Sequence, residues 1–403
     1  MYIKKSIRKS LKFLLILISS FLVVLLLGGV VINSMNEPYE QSEISEISEI
    51  SFDITSNIKE FSDEKDAFQE FSGIESTQES IELPEQESTA DESEFEHGWV
   101  INEFGYTYVY NGCGYEQFNY KQSALDRYVG AINKIASLIP ESVRVYNITV
   151  PVSSTFADIP REIYVNDNFY NQSQSAFSST VASRLNTTIT SVKVVNILEE
   201  KYDNDEYVYF RTDRNWTSLG AYYAYKQFCA DAEIAPYSIE SFTKAEDIFF
   251  LGSFYISTEN KEIKNNLDTI TCYSSLPSVK TTLTIYDRGM VYTDYSLCNN
   301  KVNDLSAYNV FLGRGASRYE VSTTTEGKKL LIIGDTSAHP IIPFLTSHYS
   351  KIDYIFPEKF ETSIADYLSE HSYDDCIIMC YTTNAVNGNF IPSLIKMSGE
   401  TNE

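Results

Sequence analysis

Two short segments hold most of the residues in this chain that could carry chemistry. The first is Tyr209-Phe210-Arg211-Thr212-Asp213-Arg214-Asn215-Trp216-Thr217-Ser218-Leu219-Gly220-Ala221-Tyr222. The second is Leu330-Leu331-Ile332-Ile333-Gly334-Asp335-Thr336-Ser337-Ala338, followed by His339. His339 is close enough in sequence to reach a hydroxyl at Thr336 or Ser337, and a hydroxyl beside a base is the minimum for nucleophilic catalysis. The plain alternative is a surface histidine at a helix start. Other chemistries lack their residues. The chain has four His and six Cys, with no C-x-x-C or H-x-x-x-H spacing and no G-x-x-x-x-G-K-[ST], so neither a metal nor a nucleotide cofactor is expected.

Together the two segments resemble the DHHW protein family, itself similar to the SGNH-hydrolase-like domains of alginate O-acetyltransferases. The family tetrad falls on Asp213, Arg214, Asn215 and Trp216, and the nucleophile turn on Gly334, Asp335 and Thr336. Val150-Pro151, Leu251-Gly252-Ser253-Phe254-Tyr255 and Ser372-Tyr373-Asp374-Asp375 are weaker matches, and the likeness covers about residues 98–390. It implies a triad in which Asp orients His, His takes the Ser proton, and Ser carries an acyl group to a sugar hydroxyl. A helix N-terminus after the turn would supply N–H groups to the oxyanion.

This sequence departs from that triad at the base and the nucleophile. Asn215 stands where the family has its His, and a neutral amide is no proton acceptor near pH 7. Arg214 replaces the preceding His and is no base either. Thr336 stands at the Ser position, keeping a hydroxyl while adding a methyl group and a stiffer χ1. Asp213 is retained, though it could equally pair Arg214, Arg211 or a backbone N–H. Asn215 could hydrogen-bond Asp213 or Thr336 and hold the cleft in shape. Trp216 reads more readily as core than as a sugar platform.

The elements that must position these residues alternate between strand and helix. Gln122–Leu138 places Leu125, Tyr128, Ile132 and Ile135 at helical spacing. Val143–Val150 and Val192–Leu198 read as β-rich runs. Residues from Thr217 to Ala230 read as a helix capped by Thr217 or Ser218. Lys329–Ile333, Ile352–Phe356 and Cys376–Cys380 are buried-strand runs, with helices expected from about Pro340 and over Glu361–Glu370. With the resemblance, this predicts an α/β fold: an SGNH-hydrolase-like three-layer sandwich with a parallel sheet. Cys272 and Cys298 flank a hairpin region and form the best disulfide pair.

The chain before residue 98 has a different character. Residues 1–12 are a basic segment, with Lys4, Lys5, Arg8, Lys9 and Lys12. Residues 13–32 carry no charge, and a helix of that length spans about 30 Å, enough for a bilayer core. The positive-inside rule puts the N-terminus in the cytoplasm and the rest outside. Residues 33–97 read as an acidic, Ser/Glu-rich disordered tether that includes the repeat Ser-Glu-Ile over Ser42–Ile50. Residues 98–403 form the extracellular domain.

The net charge of -25 argues against nucleic acid as a partner. Two functions are therefore expected of a single-pass cell-membrane protein. One is a degenerate relative that binds or scaffolds surface polysaccharide without turnover. The other is an active O-acetyltransferase or esterase using Thr336 with Asp213 and His339. The resemblance implies a membrane acyltransferase partner for the second.

Overall fold

A computed structural model describes residues 97–400, apart from 104, 295, 300–303 and 314. The expected anchor and tether lie outside these residues. In chain order the strands are β1 (His97–Asn102), β2 (Gly105–Tyr110), β3 (Cys113–Tyr115), β4 (Arg144–Val150), β5 (Ile189–Val192), β6 (Ile248–Phe250), β7 (Asp268–Ile270), β8 (Thr281–Asp287), β9 (Met290–Asp294), β10 (Arg318–Thr323), β11 (Lys329–Gly334), β12 (Lys351–Ile355) and β13 (Asp375–Tyr381).

The main sheet has eight strands in the order β5-β4-β13-β11-β12-β10-β8-β9. Its central strands are continuous apolar runs because both faces are covered. Leu330 and Ile332 of β11 enter one core, with Ile377 and Met379 of β13 and the helix Ser218–Asp231. Leu331 and Ile333 enter the other, with Cys376 and Ile378 and the helix Gln122–Leu138. The alternation follows from the two-residue period of a strand, and it produces three layers.

The sequence predicts a parallel sheet; the observed one is mixed. β5, β4, β13, β11 and β12 pair in parallel. β10, β8 and β9 extend the sheet in antiparallel fashion. The β8–β9 pair is set by its two-residue turn, in which Arg288 and Gly289 take φ of 48° and 76°. Positive φ at both positions matches the twist of an antiparallel pair.

Nor is Val192–Leu198 a single β-run. The strand ends at Val192, and Val195–Asp203 is a helix burying Val195 and Leu198. A spacing of three puts those two on one helical face.

Two small sheets stand beside the main one, β1-β2-β3 and β6-β7. The expected bond between Cys272 and Cys298 is formed. It sits in a satellite core with Phe210, Phe250 and Phe311. Because β4, β13 and β11 run parallel, the segments after all three leave at the same edge of the sheet, where α/β folds assemble their sites.

Candidate functional site

The turn after β11 is fixed by its own carboxylate. Asp335 Oδ1 accepts from the N–H (2.9 Å) and hydroxyl (2.5 Å) of Ser337. Its Oδ2 accepts from Tyr381 N–H (2.9 Å) and Asn384 Nδ2 (2.6 Å). Asp335 therefore staples the ends of β11 and β13 together and has no oxygen left over for catalysis. Ser337 is fully buried, which removes its hydroxyl from any substrate. Thr336 alone stays half-buried. The expected helix start is a three-residue 3-10 turn, Thr336–Ala338, and the helix proper is only Ile342–Leu345. Since the Ser337 N–H is already bonded to Asp335, the turn does not present the row of free donors expected for an oxyanion.

The tetrad loop is held from below by Asp268, a fully buried carboxylate on β7. Asp268 accepts from the Thr212 N–H and hydroxyl (both 2.6 Å), from the Arg211 N–H (3.0 Å) and from the Tyr207 hydroxyl. Burial raises its pKa, and these donors oppose the shift. The Thr212 hydroxyl in turn accepts from Gly252 N–H at 2.8 Å. Trp216 is fully buried and straps the loop to the turn. Its N–H donates to the Tyr381 hydroxyl (3.0 Å) and its indole to the Ser337 carbonyl (3.2 Å). It is a core residue, as its type suggested.

Within that frame Asp213, Asn215 and Thr336 converge. Asp213 Oδ1 accepts from the Asn215 N–H (2.9 Å) and from its side-chain Nδ2 (2.6 Å). Asp213 Oδ2 accepts from Ser253 N–H at 2.8 Å. The Thr336 hydroxyl donates to Asn215 Oδ1 at 3.3 Å. The chain carboxylate–amide–hydroxyl has the connectivity of a triad, with the amide in the place of an imidazole. The amide donates on one side and accepts a hydrogen bond on the other, yet it cannot take the proton. The arrangement can hold and orient a hydroxyl; it cannot deprotonate one.

His339 does not repair the deficit. It is 4% exposed, with its ring packed against Tyr308, Tyr319 and Tyr354 at centroid distances of 6.3, 5.8 and 5.3 Å. Its Nδ1 has no hydrogen-bond partner, and burial pushes its pKa down to about 4. Its ring makes no hydrogen bond to the Thr336 hydroxyl, which is bonded to Asn215 instead. His348 bonds the Tyr225 hydroxyl, His97 bonds Asp167, and His371 bonds the Tyr367 carbonyl.

Two charged residues complete the rim. Arg214, at the position of the first tetrad histidine, pairs Glu116 at 2.8 Å. Burial lifts the Glu116 pKa above its ordinary value, and the Arg214 guanidinium opposes that. Asp268, Gly252 and Glu116 are the functional supports that motif reading does not reveal as such. Only Gly252 sat within a recognised segment. Among the described residues, no cluster of His, Cys, Asp and Glu has the makings of a metal site.

A protein-family model described as DHHW protein matches residues 39–355. A solved DHHW family protein from Eubacterium siraeum is similar at 24% identity and a TM-score of 0.64, over 76% of this chain and 98% of that one. PatB1 of Bacillus cereus is similar at 16% identity and a TM-score of 0.56, over 73% of this chain and 99% of its own. The O-acetyltransferase domain of Pseudomonas putida AlgJ matches at 11% identity and a TM-score of 0.39, over 75% and 99%. No curated protein matches the sequence. At these identities the first two structures establish a shared fold.

Proposed function

Because this chain belongs to the DHHW protein family, we propose that it is a degenerate, non-catalytic relative of polysaccharide O-acetyltransferases that binds or scaffolds surface glycan. The observation that carries this reading is the Asn215 amide between the Asp213 carboxylate and the Thr336 hydroxyl. Every polar atom of the old relay is satisfied, so the loop is stable without a substrate. General-base help is worth roughly 10²–10⁴-fold, and it is the part removed. The reading extends to location: a single-pass anchor over 13–32, the N-terminus in the cytoplasm, and the folded domain outside the cell. A membrane acyltransferase is the partner such a protein would assist.

A sulfonyl adduct has been captured on PatB1 of Bacillus cereus, which suggests a direct test. The purified protein is treated with a sulfonyl fluoride and, separately, with an activated acetyl ester, and its retention on immobilised surface polysaccharide is measured. The expected outcome is retention with no adduct at Thr336 and hydrolysis at the level of buffer. Turnover that disappears in Thr336→Ala would overturn the non-catalytic reading. Protease added to intact cells should remove the folded portion; a C-terminal tag that stays protected would sink the proposed topology.

A further inference from the structure

A second feature adjoins the same loop. The residues that lead into Thr212 and Asp213 line a cleft of about 290 Å³ whose walls include the rings of Tyr115, Tyr202, Tyr207 and Tyr209. Two of these rings are locked by their hydroxyls, since Tyr209 donates to the Pro151 carbonyl at 2.6 Å and Tyr207 donates to Asp268. Tyr202 and Tyr207 are the partly exposed rings and offer contact area at low entropic cost, whereas Tyr115 and Tyr209 are buried. Tyr209 also bridges to Trp216, and Ser153, from the segment after β4, lines the cleft too. One loop thus presents Asp213 and Asn215 on one part and a tyrosine wall on another.

The charges around the cleft define what would fit. Arg211 stands on the wall as an exposed cation with neutral partners: its guanidinium lies 5.0 Å from the centre of the Tyr207 ring and donates to Asn266 Oδ1 at 3.1 Å. Glu206 is paired with Lys201 at 3.2 Å and accepts from the Tyr223 hydroxyl. Asp205 remains as an exposed acceptor on the rim. Arg211 and Asp205 offset one another on this wall, and Glu206 is offset by Lys201, so an anionic sugar gains no net attraction. An uncharged pyranose would lay its C–H face on a ring and donate hydroxyls to Asp205. We propose that this cleft, lined by the residues that lead into Asp213, is a binding subsite for an uncharged sugar ring of the glycan; it rests on the glycan reading above.

Cys113 provides a built-in reporter. It lines the cleft and is the one free cysteine that is not buried, because Cys229, Cys376 and Cys380 are buried and the remaining two are bonded to each other. The full-length protein is titrated with a β-1,4-linked N-acetylglucosamine tetramer and with a mannuronate tetramer. Binding is read by calorimetry and by the rate of Cys113 alkylation.

The expected result is that the neutral tetramer binds and slows alkylation at least fivefold, with little effect from the uronate. Tyr202→Ala should weaken binding about tenfold, in line with loss of one aromatic contact, while Tyr202→Phe, which keeps the ring and fold, should bind like the native protein. Tighter binding of the uronate would overturn the proposal. So would retention on whole polysaccharide with Cys113 unprotected and Tyr202→Ala silent, an outcome that leaves the broader glycan reading standing. Failure to bind tetramers or whole polysaccharide would sink both.

Discussion

Gly252 lies so close to Asp213 that a β-carbon built on it would stand 2.2 Å from Asp213 Cβ and 2.7 Å from Asp213 Oδ2. The neighbouring Ser253 N–H is the donor to that same oxygen. The glycine is therefore what allows one loop to reach in and fix the carboxylate of another.

The first prediction follows from that contact. Gly252→Ala forces either the loop or Asp213 to move, and overpacking of this kind costs about 1–3 kcal/mol. For a domain of this size the melting temperature should fall by several degrees. Gly130→Ala is the matched control. Gly130 sits inside the helix Gln122–Leu138 with nothing within 4 Å of its would-be β-carbon. That change should be neutral or stabilising by up to about 1 kcal/mol. Equal melting of both variants would show that the loop yields freely.

The contrast between what the sequence reveals and what it hides is physical. β11 and β13 are readable because burial on both faces demands unbroken apolar runs, and the helix Gln122–Leu138 because its buried residues keep helical spacing. β8 and β10 are harder to read, since each has only two or three apolar residues among Thr, Arg, Glu and Ser, too short a run to stand out. Asp213, Asn215 and Thr336 could be brought together only through the family motif, as the last lies 121 residues from Asn215. Asp268 gives no signal because two of its four donors are the backbone N–H groups of Arg211 and Thr212, which are the same in every sequence, and its hydroxyl donors lie more than fifty residues away. The burial of His339 depends on three tyrosines from separate segments, and local sequence cannot report that.

The second prediction uses that burial. Unfolded, an imidazole titrates near 6.5; folded, His339 stays neutral down to about 4. Between those values the unfolded chain binds the extra proton. Stability is thus fully present above about pH 6.5 and is lost as pH falls toward 4. At pH 5 the loss from this one residue is about 2 kcal/mol. Urea midpoints at pH 7 and pH 5 should separate less in His339→Phe than in the native protein. His348, also pushed down to about 4 by burial, leaves a residual slope in that variant. An unchanged slope would mean that His339 is reachable by protons in the folded state.

A third prediction concerns the Cys272–Cys298 bond, which closes a loop with a sequence separation of 26. Loop-closure entropy of that size corresponds to about 3.5 kcal/mol. The bond also ties together the satellite core in which Phe210 packs edge-on against Phe250, the register partner of Asp268. Cys272→Ala with Cys298→Ala should lower the urea midpoint, and a reductant should do the same to the native protein only. No difference between oxidised and reduced native protein would show that other contacts already close this loop.

The last prediction asks whether the relay can be rebuilt. Asn215 Nδ2 already donates to Asp213, and Asn215 Oδ1 already accepts from Thr336. An imidazole at position 215 would face the same two partners, donating to the carboxylate and accepting from the hydroxyl. Asn215→His alone supplies the base but leaves a methyl group beside the nucleophile. Thr336→Ser alone removes the methyl and leaves no base. The native protein should hydrolyse an activated acetyl ester no faster than its Thr336→Ala variant, and each single repair should add little. The double repair should exceed the product of the singles, because base and nucleophile act as a unit, with a gain of roughly 10²–10⁴-fold. Adding Asp213→Ala to the double repair should remove most of that gain, since the imidazole loses its orienting carboxylate. The Ser337 N–H is bonded to Asp335, so stabilisation of the oxyanion is the part these substitutions do not restore. A double repair that stays inactive, while melting like the native protein and keeping a titrating imidazole at position 215, would place the defect there rather than in the proton relay.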